Sequence, residues 1–495
     1  MALFPIQVQP GIVKNGTEYG SRGRWYDQSL TRWYGEGTLG AIPGWLKYSK
    51  STLTGSARAM QSWRDDSGTR WCAIGTHSKL YVMNAAGTLF DITPSPFTAG
   101  RANAVAATGY GYGPYGGYTY GTARPDRGVP LDASVWDLTQ WGQYINGCMP
   151  EDGHIFQWTL DTATPAQVVS GAPTSCSGVV CTPQRFLFAL GAGGNKRKVQ
   201  WSDQEDNTVW TPSSTNQAGD LDLPVGRIMC GRPVRDEVLV LTDVDAHAFS
   251  YIGLPAVYSR RTVGFGCGAI SKGAVAIIGQ QAVWWSNSGF WLYNGAGQAL
   301  QCDVWDDLLR NLSQPQRSKI TSFHNSTNGE VWWFYPREGA SENNAYVFWD
   351  YRRNCWGMGS IVRLAACDQG IFKNPFMIGS DGYVYEHENG YAYDGASSAP
   401  YGRLGPIELG AGDNVMEVLG IVPDEKTVGD VTVSFRTRFY PNADETTLDE
   451  NTLTSAGKCD LRFSARQAEL VVTGSATTNW RFGTPRLMVQ GAGTR

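Results

Sequence analysis

Three observations predict an all-β chain: a β-propeller of six or seven blades with an extended N-terminal arm and a C-terminal β-sandwich. Strand patterns recur along most of the 495 residues at a spacing of about 40–50, the period of propeller blades. Helix patterns are nearly absent. The composition is that of a turn-rich β protein, with 60 Gly beside 19 Trp, 23 Tyr and 18 Phe, and only 17% charged residues. That charge is well below the roughly 25% usual in soluble chains, and it suits surfaces buried in an assembly.

The arm comes first, over residues 1–50. Its segment RWYDQSLTRWYGEGTLGAIPGWLK is too polar and glycine-rich to build a core of its own, so it is expected to run across other parts of the molecule. A strand from it is expected to pair with the last blade and close the ring, because closure removes exposed sheet edges.

The propeller follows over 51–395. Alternating stretches at 68–94, 150–169, 287–301 and 379–391 read as hairpins or meanders. Three of them carry Asp152-Gly153, Ser288-Gly289 or Asp381-Gly382, where glycine supplies the positive φ of a hairpin turn. Strand anchors at Phe156, Trp201, Phe249, Tyr293, Phe348 and Tyr385 are separated by 45, 48, 44, 55 and 37 residues. Tyr81 anchors an earlier unit, 75 residues before Phe156. The excess over one period falls on the stretch GYGYGPYGGYTYG, so residues 108–130 read as an insertion between blades. One helix is expected near 303–319, with Val304, Leu308, Leu309 and Leu312 on one face and Pro315 ending it.

Beyond a soft linker, residues 401–495 read as the β-sandwich. In VTVSFRTRFYP, Val431, Val433, Phe435 and Phe439 fall on one face, and Thr432, Ser434, Arg436 and Arg438 on the other.

Charge and motifs narrow the function. A net charge of −4 argues against a protein that grips phosphates along a basic stripe. No secretory leader is read at the N-terminus, and no run is apolar enough to span a membrane. The ten cysteines show no CxxC pattern and are expected as reduced, buried thiols. The five histidines lie in separate segments, so neither metal nor cofactor is expected.

WSDQEDNTVW at 201–210 approaches the Asp-box of sialidases but lacks its glycine, and that turn stabilises a fold without catalysing anything. Glycosidase chemistry needs paired carboxylates, whereas Glu205, Glu330 and Glu386 stand apart in sequence. GAGGNKRKV at 191–199 lacks the ending of a phosphate loop and reads as a hairpin tip exposing Lys196, Arg197 and Lys198. GFGCG at 264–268 is a lone glycine turn. No enzyme is expected; the alternative is a carbohydrate-binding or glycosidase-type propeller.

Four passages resemble a known family: IPGWLK (42–47), YGTARPD (120–126) with VWDLTQWGQYINGCMPEDGHIFQW (135–158), QRFLFALG with VQWSDQEDNTVWTP (184–212), and AGDLDLPVGRIMCG (218–231). The chain is similar there to the nozzle or tail hub proteins of short-tailed bacteriophages, also called packaged-DNA stabilisation or tail tube proteins. The resemblance implies a structural virion protein in the tail, assembled in the host bacterial cytoplasm. It implies a homo-oligomeric ring, six copies in the family, below the adaptor ring under the portal. Such a ring lets DNA pass without specific binding, helps retain it, and docks tail fibres or spikes.

The Gly/Tyr stretch then reads as an assembly contact. Tyr110, Tyr112, Tyr115, Tyr118 and Tyr120 would supply flat amphipathic surfaces at low entropic cost.

Overall fold

The computed structural model describes residues 2–35, 37–105, 131–395, 399–408, 412–453, 458–475 and 478–493. Seven four-stranded antiparallel sheets follow one another along the chain. Their first strands are Ala57–Arg64, Asp137–Trp141, Gly178–Cys181, Ile228–Val234, Val275–Ile278, Thr321–Asn325 and Ala365–Cys367. Each first strand neighbours the first strand of the next sheet, and the seventh returns to the first. The fold is therefore a seven-bladed β-propeller with these strands lining its axis.

All seven aromatic anchors lie on the third strand of a blade. Tyr81, Phe156, Trp201, Phe249, Tyr293, Phe348 and Tyr385 are each buried. A meander cannot bury both of its faces alone, so one large apolar side chain recurs where neighbouring blades pack. The three predicted glycine turns all join a second strand to a third, and Gly153, Gly289 and Gly382 all have positive φ.

Six blades are contiguous in sequence; the seventh is not. Its outer strand is Trp45–Lys47, antiparallel to Val384–His387 with Trp45 opposite His387 and Lys47 opposite Tyr385. The closing strand thus lies inside the predicted arm. Trp45 stacks on Tyr393 (centroids 4.3 Å apart) and on His387 (5.0 Å), with the Arg363 guanidinium 4.8 Å from its ring. Arg363 donates to Nε2 of His387 at 2.8 Å. Burial, reinforced by Arg363, holds His387 well below the usual range, so it remains the neutral acceptor that this bond needs. Gly44 precedes this strand because a Cβ there would lie 2.0 Å from the Ala392 carbonyl oxygen.

The rest of the arm pairs with the C-terminal segment. Ala2–Pro5 joins Arg486–Gly491, Met416–Val422 and Cys459–Ala465 in one sheet. Gln9–Ile12 and Arg24–Ser29 join Tyr401–Leu404, Gln467–Gly474 and Val431–Arg438 in another. Chain ends more than 400 residues apart are thereby interleaved. Glu18 of the arm meets Arg403 at 2.9 Å and Arg438 at 2.6 Å. Arg32, 2% exposed, meets Glu330 of the sixth blade at 2.9 Å and Glu388 at 2.6 Å, tying the arm to the propeller.

Two local expectations are corrected. The helix is shorter than expected, Trp305–Asn311, and Leu309 is exposed while Val304, Leu308 and Leu312 are buried. The strand after Val431 ends at Arg438, so Phe439 escapes the alternation and is 48% exposed; Thr437 takes the buried position.

Candidate functional site at the channel mouth

The seven first strands enclose an axial channel of about 560 Å³. Small and β-branched residues such as Ala59, Val179, Gly231, Val275 and Ala366 line it, together with Arg58, Asp137, Arg232, Lys272, His324 and Asp368.

One mouth of this channel is crossed by protein. The connection between the first and second blades, residues 92–136, contains the Gly/Tyr insertion, and its two flanks form an antiparallel stem. Val105 and Leu131 exchange backbone hydrogen bonds of 2.8 and 3.0 Å, and Ser134 N donates to the Arg101 carbonyl. The stem leaves the first blade at Gly100, bonded to the His77 carbonyl, and reaches the connection between blades five and six. There Ala104 N donates to Gln316 and Ala133 N to Ser318 Oγ, both at 3.1 Å. Those two connections lie on opposite sides of a seven-bladed ring.

Two charge clusters link non-adjacent blades, and the first fastens the crossing. Arg58 holds Glu342, from a loop of the sixth blade, through bonds of 2.9 and 2.8 Å, and also donates to the Ala102 carbonyl of the stem. Lys319 donates to Asn103 Oδ1 of the stem at 2.6 Å and to Glu342 at 3.2 Å. Burial, with Arg58 adding to it, pushes the Lys319 amine down to about 8. Burial opposes ionisation of Glu342, but Arg58 and Lys319 outweigh it and hold the carboxyl below its usual range. The second cluster links Arg232 of blade four to Asp137 of blade two at 2.9 Å, passing over blade three. Lys272 lies 3.9 Å from the same carboxylate and donates to the Ser177 carbonyl.

The tyrosines assigned to assembly contact, at 110, 112, 115, 118 and 120, lie outside the described residues. Their stem is described, and it is anchored at every turn. The acids considered for catalysis remain apart. Glu330 is taken up by Arg32 and by Trp332 Nε1, Glu386 by Asn374 and Asn389, and Glu205 sits exposed on a turn near Arg185. Glu18, Glu445 and Glu469 gather within ligand distance of a metal, but Arg403 bonds to all three and Arg438 to two. That cluster is an ion-pair network. All ten cysteines are free; burial raises Cys176 to about 12 and Cys181, Cys230 and Cys267 to about 11, which suppresses the nucleophilic thiolate. The crossed mouth itself escaped sequence reasoning, since its pairs join residues up to 284 positions apart.

No protein-family model and no curated protein matches the chain significantly. Solved structures with a similar arrangement are propellers. One is virginiamycin B lyase from Staphylococcus aureus: 7% identity, 69% of this chain and 97% of that one, TM-score 0.42. Another is YCF48 bound to a D1 peptide: 11% identity, 70% and 97%, TM-score 0.39. A third is the Pan2 WD40 domain of Neurospora crassa: 8% identity, 71% and 96%, TM-score 0.38. At such values the likeness says nothing about activity, and the fold rests on the seven sheets themselves.

Proposed function

We propose that this chain is a structural virion subunit of the nozzle or hub kind. Copies of it would form a ring that extends the DNA exit below an adaptor ring and docks fibres or spikes. The observation that carries the reading is the fastened stem. The described residues flanking the segment rich in glycine and tyrosine form a base tied to blade one and to the connection between blades five and six, as suits a contact offered to another subunit.

The propeller's own channel does not serve as the DNA path in this reading. Its 560 Å³ is the size of a small-molecule pocket, and one mouth is crossed. DNA would instead pass through the opening between copies, where a net negative subunit repels the phosphates and does not retain them.

The test is electron microscopy and mass measurement on the purified protein, alone and with the particle that carries it. Closed rings, six copies on the family's pattern, or density below a portal-adaptor complex are the expected result. A monomer at all concentrations that hydrolyses glycosides would overturn the reading in favour of a carbohydrate-active propeller.

A further inference from the structure

The seam between the seventh blade and the first holds a pair of thiols. Cys72 lies on the second strand of blade one, Arg70–Thr76, opposite Ser62 of the first strand. Cys367 ends the first strand of blade seven, opposite Phe376. The two first strands pack side by side, and both cysteines belong to one core cluster with Ile74, Met83 and Ile378. Ser62 also abuts blade seven, since a Cβ on Gly370 would lie 3.0 Å from its Oγ. Across this seam the two thiols stand within hydrogen-bonding reach of each other, and neither is in a disulfide.

Their surroundings differ. Cys72 is fully buried, whereas Cys367 is 9% exposed and lines the axial channel. The hydrogen bond with Cys367, then burial, holds the Cys72 thiol well above the usual range, so Cys72 stays protonated. A small oxidant in the channel therefore meets Cys367 first, with a second sulfur beside it. We propose that Cys367 is an oxidation site for hydrogen peroxide and that Cys72 resolves it into a disulfide joining blade seven to blade one. The Cys367 sulfur attacks one peroxide oxygen and the O–O bond breaks. Hydroxide departs, takes the thiol proton as water, and leaves a sulfenic acid. The Cys72 sulfur then attacks the Cys367 sulfur. The S–O bond breaks, and the hydroxyl leaves as water with the Cys72 proton. Two thiols thus give up two electrons, one peroxide is reduced, and two waters form. Cys148 and Cys176 are also neighbours, with Cys148 Sγ 3.7 Å from the Cys176 carbonyl, but both are buried and neither lines the channel. The assignment stands independently of the hub reading.

The test is peptide mass mapping, without reduction, of the native full chain treated with millimolar hydrogen peroxide. A Cys72–Cys367 linkage is expected, reversed by dithiothreitol, while Cys148 and Cys176 are still alkylated as free thiols once the chain is denatured. Cys72→Ala adds no polar group to the core and is expected to leave Cys367 as a sulfenic acid that dimedone labels. Cys367→Ala is expected to leave Cys72 unmodified. No Cys72–Cys367 linkage in the native wild type would overturn the proposal, as would a linkage that forms only after unfolding in urea. Dimedone labelling of Cys72 in Cys367→Ala would overturn the assignment of Cys367 as the point of attack.

Discussion

Arg58 and Glu342 form a two-pronged ion pair across the crossed mouth of the channel, joining the first blade to the sixth at 2.9 and 2.8 Å. Lys319 shares the same carboxylate, so one negative charge serves two cations whose side chains are at most 1% exposed. Both cations also bond to the described stem that flanks the Gly/Tyr insertion, at Ala102 and Asn103.

Removing the carboxylate strands both cations. Glu342→Ala is expected to cost about 3–5 kcal/mol in urea denaturation, the penalty for breaking a buried pair from one side. Lys79→Ala breaks the exposed Lys79–Asp91 pair and is expected to cost about 0–1 kcal/mol. Equal effects would show that the mouth cluster is solvated.

Lys319 gives this site a pH signature. Its amine is lowered from the ordinary 10.5 to about 8, so between those values the fold binds fewer protons than the unfolded chain. Its contribution to stability therefore rises with pH through that window and is flat on either side. Carbon-13 NMR of the lysine side chains should show one group titrating near pH 8, absent in Lys319→Met. Lysines that all titrate above pH 10 would contradict the burial described.

What could be read from the sequence, and what could not, divides at the range of the interaction. The anchors from Tyr81 to Tyr385 and the turns at Gly153, Gly289 and Gly382 are set by neighbours within a blade, and spacing finds them. The choice between six and seven blades stayed open because the seventh is completed by Trp45–Lys47, more than 300 residues from its partner. Uneven separations of 55 and 37 residues, the first containing the helix at Trp305–Asn311, blurred the count further. Leu309 and Phe439 fit a periodic face but lie where no surface covers them, which periodicity alone cannot show. The mouth cluster was invisible for a similar reason. Arg58, Lys319 and Glu342 carry no spacing signal and meet only once the ring closes.

Ring closure should depend on Trp45 far more than on its neighbour. Trp45 is 7% exposed between Tyr393, His387 and Arg363, whereas Leu46 is 45% exposed. Trp45→Ala is expected to cost about 3–5 kcal/mol, the range for deleting a large buried aromatic. Leu46→Ala should stay within about 0.5 kcal/mol. Deleting residues 1–50 should leave blade seven with an open edge and lower solubility or assembly. A truncated chain that folds and assembles normally would refute closure by this strand.

The insertion is where structure and assembly should separate. Ordering its backbone costs about 1–2 kcal/mol per residue, most at glycine. Gly109, Gly111, Gly113, Gly116 and Gly117 therefore set a cost that its own few apolar atoms do not offset. A partner surface offsets it, since each buried tyrosine removes roughly 150–250 Å² from water. The described stem is held by Arg58, Arg101 and Lys319. Replacing Tyr112, Tyr115 and Tyr118 together by serine should thus leave the monomer's melting temperature within about 2 °C of wild type. The same variant should weaken ring or particle assembly, read by mass measurement and negative-stain microscopy. Unaltered assembly, or a monomer that unfolds, would show that the insertion serves the propeller and not its partners.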